Sequence, residues 1–251
     1  MMLRSKKVCL LVSFCITTAL SAKGLNKQQS TSSLDTIFPG KALVNSSLIS
    51  NAHSKFVLLI YARGTYASIM YLDKDIKRTK EKLTVVQKLY NGKYTNTDSV
   101  IVNSQTLMPV ESYSDINTSK DSFVYHANNV KGSMQAKEGN KKGTLTKIDT
   151  AFSKPLFNGL IYAETYQALS YQKDRPFYVE DYVPGHNVKI TRIEYIKDDE
   201  IVISGLRIPA KVLEMKTGNI VEHVWLNSST QDVLKIEAKF PGFDYSMLRI
   251  L

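Results

Sequence analysis

Three observations predict a mainly β fold of the α+β class: a large curved antiparallel sheet, or half-open β-barrel, of about ten strands with one principal helix packed on its concave face. Short runs rich in Val, Ile, Leu and Tyr recur from about Lys55 onward, separated by turn-forming residues. Several of these runs alternate apolar and polar residues with a period of two. One stretch, residues 159–170, carries apolar residues at helical spacing instead.

Taken in order, the first strands fall at residues 56–61, 65–72 and 82–90. In the third, Leu83, Val85 and Leu89 share one face while Lys82, Thr84 and Lys88 share the other, as in a half-buried strand. Asn91-Gly92 turns the chain. A strand at 98–103 follows, closed by Thr106-Leu107-Met108-Pro109. Strands at 121–127, 129–137 and 143–148 are joined by Asn128-Asn129 and by Glu138-Gly139-Asn140.

Residues 159–170 contain no Pro and no internal Gly, and place Leu160, Ala163 and Tyr166 or Gln167, with Ile161, Thr165 and Leu169, at helical spacing. Beyond this helix the chain reads as a meander. Strand 188–196 passes through Lys197-Asp198-Asp199 to 201–204, and 208–215 passes through Lys216-Thr217-Gly218-Asn219 to 220–226. Asn227-Ser228-Ser229-Thr230 turns into 232–240, and Pro241-Gly242 turns into 245–250. In 232–240, Leu234, Ile236, Ala238 and Phe240 face one way and Val233, Lys235, Glu237 and Lys239 the other. One dry face and one wet face favour antiparallel pairing.

The domain organisation expected is a cleaved signal peptide at 1–22, a flexible polar leader at 23–35 and a single β-rich domain at 36–251. Arg4, Lys6 and Lys7 form a basic head, an apolar run from Val8 to Leu20 follows, and the small residues Ser21 and Ala22 offer the exit. That run is short for a membrane span, which needs about 20 apolar residues. Both cysteines, Cys9 and Cys15, lie inside the signal, so the expected mature chain has no thiol and no disulfide. Phe14 precedes Cys15 and Val8 precedes Cys9, neither being the small residue that a lipid-anchored cysteine requires. Soluble export follows as the expectation, with the periplasm as the destination and no transmembrane span in the mature chain.

With 43% hydrophobic and 22% charged residues, the chain has the balance of an ordinary globular domain rather than a disordered one. The formal net charge of +10 comes mostly from lysines spread along the sequence. The densest basic stretch, 73–82, is interrupted by Asp73, Asp75 and Glu81, as in a solvated surface segment. Together with the export signal, that spread argues against a nucleic-acid partner.

Several short motifs are similar to those of a family of exported bacterial domains without an assigned reaction, whose architecture resembles the lipoprotein-carrier fold. The strand Asp98-Ser99-Val100-Ile101-Val102 followed by Thr106-Leu107-Met108-Pro109-Val110 carries the first part of the resemblance. Val130-Lys131-Gly132-Ser133, the single helix, and the ending Val224-Trp225-Leu226-Asn227 with Val233-Leu234-Lys235-Ile236-Glu237 carry the rest. The resemblance spans roughly 55–251 and implies a half-open antiparallel barrel covered by helices. The chain departs from that pattern after the helix, where it reads Ala168-Leu169-Ser170-Tyr171-Gln172-Lys173-Asp174 instead of a Leu-Pro-Leu and Gly turn.

No catalytic or metal-binding motif is legible, and no cofactor is expected. His53, His126, His186 and His223 are isolated from one another, without metal-ligand spacing. There is no nucleophile elbow, and Asp198-Asp199-Glu200 lacks the spacing of a calcium loop, reading as a charged turn. The enrichment worth weighing is aromatic: 14 Tyr and 9 Phe, with Tyr162, Tyr166, Tyr171, Phe177, Tyr178 and Tyr182 clustered around the helix and the segment after it. Such rings either fill sheet faces or line a binding mouth. The residues expected at a cavity or its mouth are Tyr162, Tyr166, Leu169, Phe177, Tyr178, Trp225, Leu234 and Ile236, with Trp225 also read as a core anchor beside the Asn227 turn.

Three functions remain open. A non-enzymatic carrier would hold a lipid, an acyl chain or a lipidated partner in its concave sheet, and predicts an unfilled apolar cavity. An envelope interaction module would have a packed interior and no small-molecule ligand. A hydrolase or isomerase would show convergent polar groups with strongly shifted acidities.

Overall fold

The computed structural model describes residues 35–250 except 63–64, 93–94 and 139–140. The expected signal peptide, and the leader apart from Asp35, lie outside the described residues.

Sixteen strands are present among the described residues, against the expected ten or so. They are β1 (Thr36–Ile37), β2 (Ala52–Ala62), β3 (Thr65–Arg78), β4 (Lys82–Tyr90), β5 (Thr95–Asn103), β6 (Pro109–Asp115), β7 (Ser119–His126) and β8 (Asn129–Glu138). After them come β9 (Lys141–Ala151), β10 (Phe157–Asn158), β11 (Phe177–Tyr182), β12 (Lys189–Ile203), β13 (Leu206–Thr217), β14 (Ile220–Asn227), β15 (Val233–Phe240) and β16 (Phe243–Ile250). All belong to one open sheet, ordered β1-β11-β12-β13-β14-β15-β16-β2-β3-β4-β5-β6-β7-β8-β9, with β10 also paired to β11.

The pairing describes two antiparallel meanders, β2–β9 and β11–β16, joined where β16 lies along β2 from Phe243 opposite Ala62 to Ile250 opposite Lys55. Among the strand pairs of the described residues, the two-residue strands β1 and β10 pair in parallel, both with β11, and the rest are antiparallel. The segment between the meanders crosses the inner face of the sheet. It holds a 3-10 turn at Gly159–Ile161 and the helix α1 (Tyr162–Gln167), shorter than the 159–170 expected.

The strand count differs for local reasons. β6 (PVESYSD) and β11 (FYVEDY) lack apolar alternation in sequence, β11 because its buried face carries Asp181 and its other face Tyr178. In the other direction, Lys197-Asp198-Asp199, read as a turn, continues β12: a bulge between Tyr195 and Lys197 keeps it paired with Val212, Lys211 and Ala210.

The inner face carries the main core, built from alternate residues such as Phe56, Leu58 and Ile60 of β2 and Ile220, Val224 and Leu226 of β14. α1 presents Ala163 and Tyr166 to the same core. A smaller cluster joins Ile201, Ile203, Ala210 and Leu234 with Trp225 and Leu248 on the opposite, outer face. There the Trp225 indole donates to Asp199 Oδ2 at 3.3 Å and lies under Lys235 Nζ, 4.6 Å from the ring centroid.

Side chains draw the two ends of the open sheet together. Phe123 of β7 and Val130 of β8 pack with Leu156 and Tyr182, and the Phe152 ring meets Tyr182 edge-on at 4.7 Å between centroids. Asn158 Nδ2 donates to the Tyr125 hydroxyl at 2.9 Å, and Lys154 reaches Glu180 at 2.8 Å. Gly132 lies opposite Phe123, and its Cβ would stand 2.5 Å from Phe123 Cδ1 and 2.1 Å from the Ser122 carbonyl oxygen. The Phe123 ring therefore occupies the place a side chain would take. Among the described residues no helix is long and apolar enough to cross a membrane.

Candidate functional site: a cavity with a carboxylate wall

A polar row on the inner face shapes the site. Cross-strand register places Lys74 (β3) opposite Gln87 (β4), Gln87 opposite Asp98 (β5), Asp98 opposite Ser114 (β6), Ser114 opposite Asp121 (β7), and Asp121 opposite Met134 (β8). Neighbouring inner positions hold the small Ser112 and Ser119. Small hydroxyl residues and short carboxylates cannot fill the depth that Leu and Phe fill elsewhere on this face, so a space remains.

That space is a cavity of about 490 Å³. Leu58, Leu72, Leu89 and Met247 form an apolar wall, while Phe123 and Met134 close the far side. Leu160 and Tyr162 roof it, and the β11–β12 connection, from Val183 to Asn187, borders it together with Asp181 and Lys189.

The roof is held from several directions. Asn158 Oδ1 accepts from Leu160 N at 2.9 Å, and Gln87 Nε2 donates to the Leu160 carbonyl at 2.9 Å. Lys74 Nζ meets Glu164 Oε1 at 2.7 Å, with both side chains almost wholly buried. Gln167 Nε2 donates to the Leu48 carbonyl at 3.1 Å and to Asp232 Oδ1 at 2.9 Å. These bonds fix a six-residue helix too short to be stable alone.

Electrostatically the cavity is one-sided. Burial raises the pKa of Asp98, against a 2.5 Å hydrogen bond from Ser114 Oγ, and the charge of Asp121 adds to the rise. Burial likewise raises Asp121, whose Oδ2 accepts from Ser119 Oγ at 3.0 Å while its Oδ1 is buried without a partner among the described residues. Across the cavity Asp181 is only 4% exposed, and burial pushes its carboxyl up to about 6 despite Lys189 on the facing strand. Glu222 of β14, on the same inner face, is raised by burial, opposed by Lys189 and reinforced by Asp181. Burial lowers His186, which favours its neutral imidazole. Burial and the Glu222 carboxylate raise the Tyr162 and Tyr245 hydroxyls well above the ordinary phenol value.

Gly159 keeps Asp181 uncovered. A Cβ there would lie 2.7 Å from Asp181 Oδ1 and 2.7 Å from Val183 Cγ2. Among the described residues no group of three or more His, Cys, Asp or Glu side chains is arranged to hold a metal ion.

Of the eight residues expected at a cavity or its mouth, Tyr162 lines this one. Tyr166, Leu169 and Ile236 are buried in the main core. Phe177 belongs to that core and borders a separate hollow of about 150 Å³ beside Ser170 and Arg175. Tyr178 alternates with Phe177 and Val179 and so faces the other side of β11. Trp225 and Leu234 sit in the outer cluster. Leu234 does not share a face with Ile236, Ala238 and Phe240, as the alternation predicted, because a bulge between Trp225 and Leu226 shifts the pairing with β15. The carboxylates were not anticipated, although Gln87 interrupting the Leu83, Val85 and Leu89 face was a visible sign of the polar row.

Compared with known proteins, the chain matches no family model and no curated protein.

Proposed function

We propose that this chain is an exported, non-enzymatic binding protein of the periplasm that holds a lipid, an acyl chain or the acyl part of a lipidated partner inside its curved sheet. The cavity of about 490 Å³ with its Leu and Met wall carries this reading. Its size falls in the roughly 300–1,000 Å³ range of small-molecule sites. Export is supported by the charged head and apolar run of residues 1–22. The open antiparallel sheet with a helix against its inner face supports kinship with the lipoprotein-carrier architecture. The rival interaction module expects a packed interior, and the cavity weighs against it.

The test is binding of the neutral apolar dye N-phenylnaphthylamine. Its emission should rise with the native chain and fall when decanol displaces it. Leu89→Trp, which fills the apolar wall, should suppress both effects. A native chain that leaves the dye dark would sink the proposal.

A second reading, an acid–base enzyme, draws on one observation: the Asp181 carboxyl is held near 6, suited to proton transfer close to neutrality. It requires turnover of some ester or amide substrate that Asp181→Asn abolishes while dye binding survives.

A further inference from the structure

We infer that the cavity receives its ligand through a positively charged head, an alkylammonium or similar protonated amine on an apolar chain, rather than through a fatty-acid carboxylate. The inference rests on the binding reading above and specifies the ligand class.

The balance of charge facing the cavity carries it. Asp98, Asp121 and Asp181 line the space, with Lys189 as the lysine on its wall. Lys189 faces Asp181 across the β11–β12 pair and Glu222 also acts on it, so one cation serves two carboxylates. On the other side Lys137 acts on Asp121 but is bonded to Asp115 and to the Ile116 carbonyl. Arg side chains are absent from the lining, and His186 is held toward its neutral form.

The second, independent observation is the condition of Asp181. It is 4% exposed and lines the cavity, and among the described residues nothing donates a hydrogen bond to its carboxylate. The bare Cα of Gly159 leaves it open toward the space. A buried carboxylate without donors is costly. An ammonium supplies three N–H donors and the missing charge together. An anionic head would add a further negative charge to a wall already carrying three carboxylates, while Leu58, Leu72 and Leu89 accept the chain in either case.

The overall charge of the chain works in the opposite sense. At +10 its general field attracts anions, so a preference for an amine has to originate inside the cavity.

Isothermal titration of the native chain at neutral pH with decylamine, decanol and decanoate tests this, because the three share a chain length and differ in the head. Decylamine should bind roughly tenfold or more tightly than either of the others, as charge-assisted hydrogen bonds allow. The triple variant Asp98→Asn, Asp121→Asn, Asp181→Asn should lose that preference while still binding decanol. Decanoate or decanol binding as tightly as decylamine overturns the inference and leaves the binding reading standing, and so does a folded triple variant that keeps the amine preference. If none of the three binds, the binding reading itself fails. The ranking on the native chain decides the matter even if the triple variant does not fold.

Discussion

Lys74 on β3 and Glu164 on α1 meet at 2.7 Å with 5% and 3% of their side chains exposed, so an ion pair sealed inside the core holds the roof of the cavity. Glu164 Oε2 has no partner among the described residues, and Lys74 Nζ also lies 6.0 Å from the Phe56 ring centroid.

Removing one partner leaves the other charge buried alone. Lys74→Met or Glu164→Leu should each destabilise the fold by about 3–5 kcal/mol in urea denaturation. The double variant should recover most of that loss, since an apolar pair of similar volume is often neutral or stabilising. Equal losses in the single and double variants would show that packing, not charge pairing, holds α1.

The glycine beneath Asp181 gives a separate prediction. Gly159→Ala forces a methyl group to 2.7 Å from both the carboxylate and Val183. The expected cost is about 1–3 kcal/mol of stability from overpacking, together with weaker ligand binding as Asp181 is displaced. A wild-type melting temperature would place the carboxylate elsewhere.

Stability should depend on pH through Asp181. Its folded value of about 6 stands above the ordinary 3.8, so between these values the native state keeps a proton that the unfolded chain releases. Stability from this group is therefore full below the unfolded value and declines as pH rises toward the folded one. Glu222 acts in the same direction, and Lys189 opposes both. Asp181→Asn removes the decline and should stabilise the ligand-free protein by up to about 3 kcal/mol at neutral pH, with little change below about pH 4. Parallel curves for the two proteins across this range would remove the burial argument.

Trp225 offers an optical check on which face holds the ligand. It is the single tryptophan, it packs with Ile201 and Leu234 on the outer face, and it is not part of the cavity wall. Its emission should stay unchanged when a ligand saturates the cavity. Trp225→Ala should lower stability without altering ligand affinity, and a large emission shift on binding would point to the outer cluster instead.

The sequence carried the sheet more clearly than the site, and particular residues show why. Period-two alternation in 82–90 is preserved in β4, where Leu83 and Val85 are buried between the more exposed Lys82, Thr84 and Val86. Leu234 broke the same rule because a bulge, set by pairing with a distant strand, is invisible in local alternation. β11 hides its period because the buried face carries Asp181 beside Phe177 and Val179, while the apolar Tyr178 lies on the other face. Asp98 and Asp121 look like ordinary polar strand residues until the register of three neighbouring strands aligns them across Ser114. Tyr162 was legible through its place in the helix, whereas the packing of Tyr166 beneath it depends on the sheet it covers.

The most direct test of the binding proposal is native mass spectrometry of the chain purified from a bacterial periplasm, before and after organic extraction. A bound amphiphile that extraction removes, and that the Leu89→Trp variant does not retain, is the expected result. An unadorned mass in both samples, with no uptake of added decylamine, decanol or phospholipid, would contradict it.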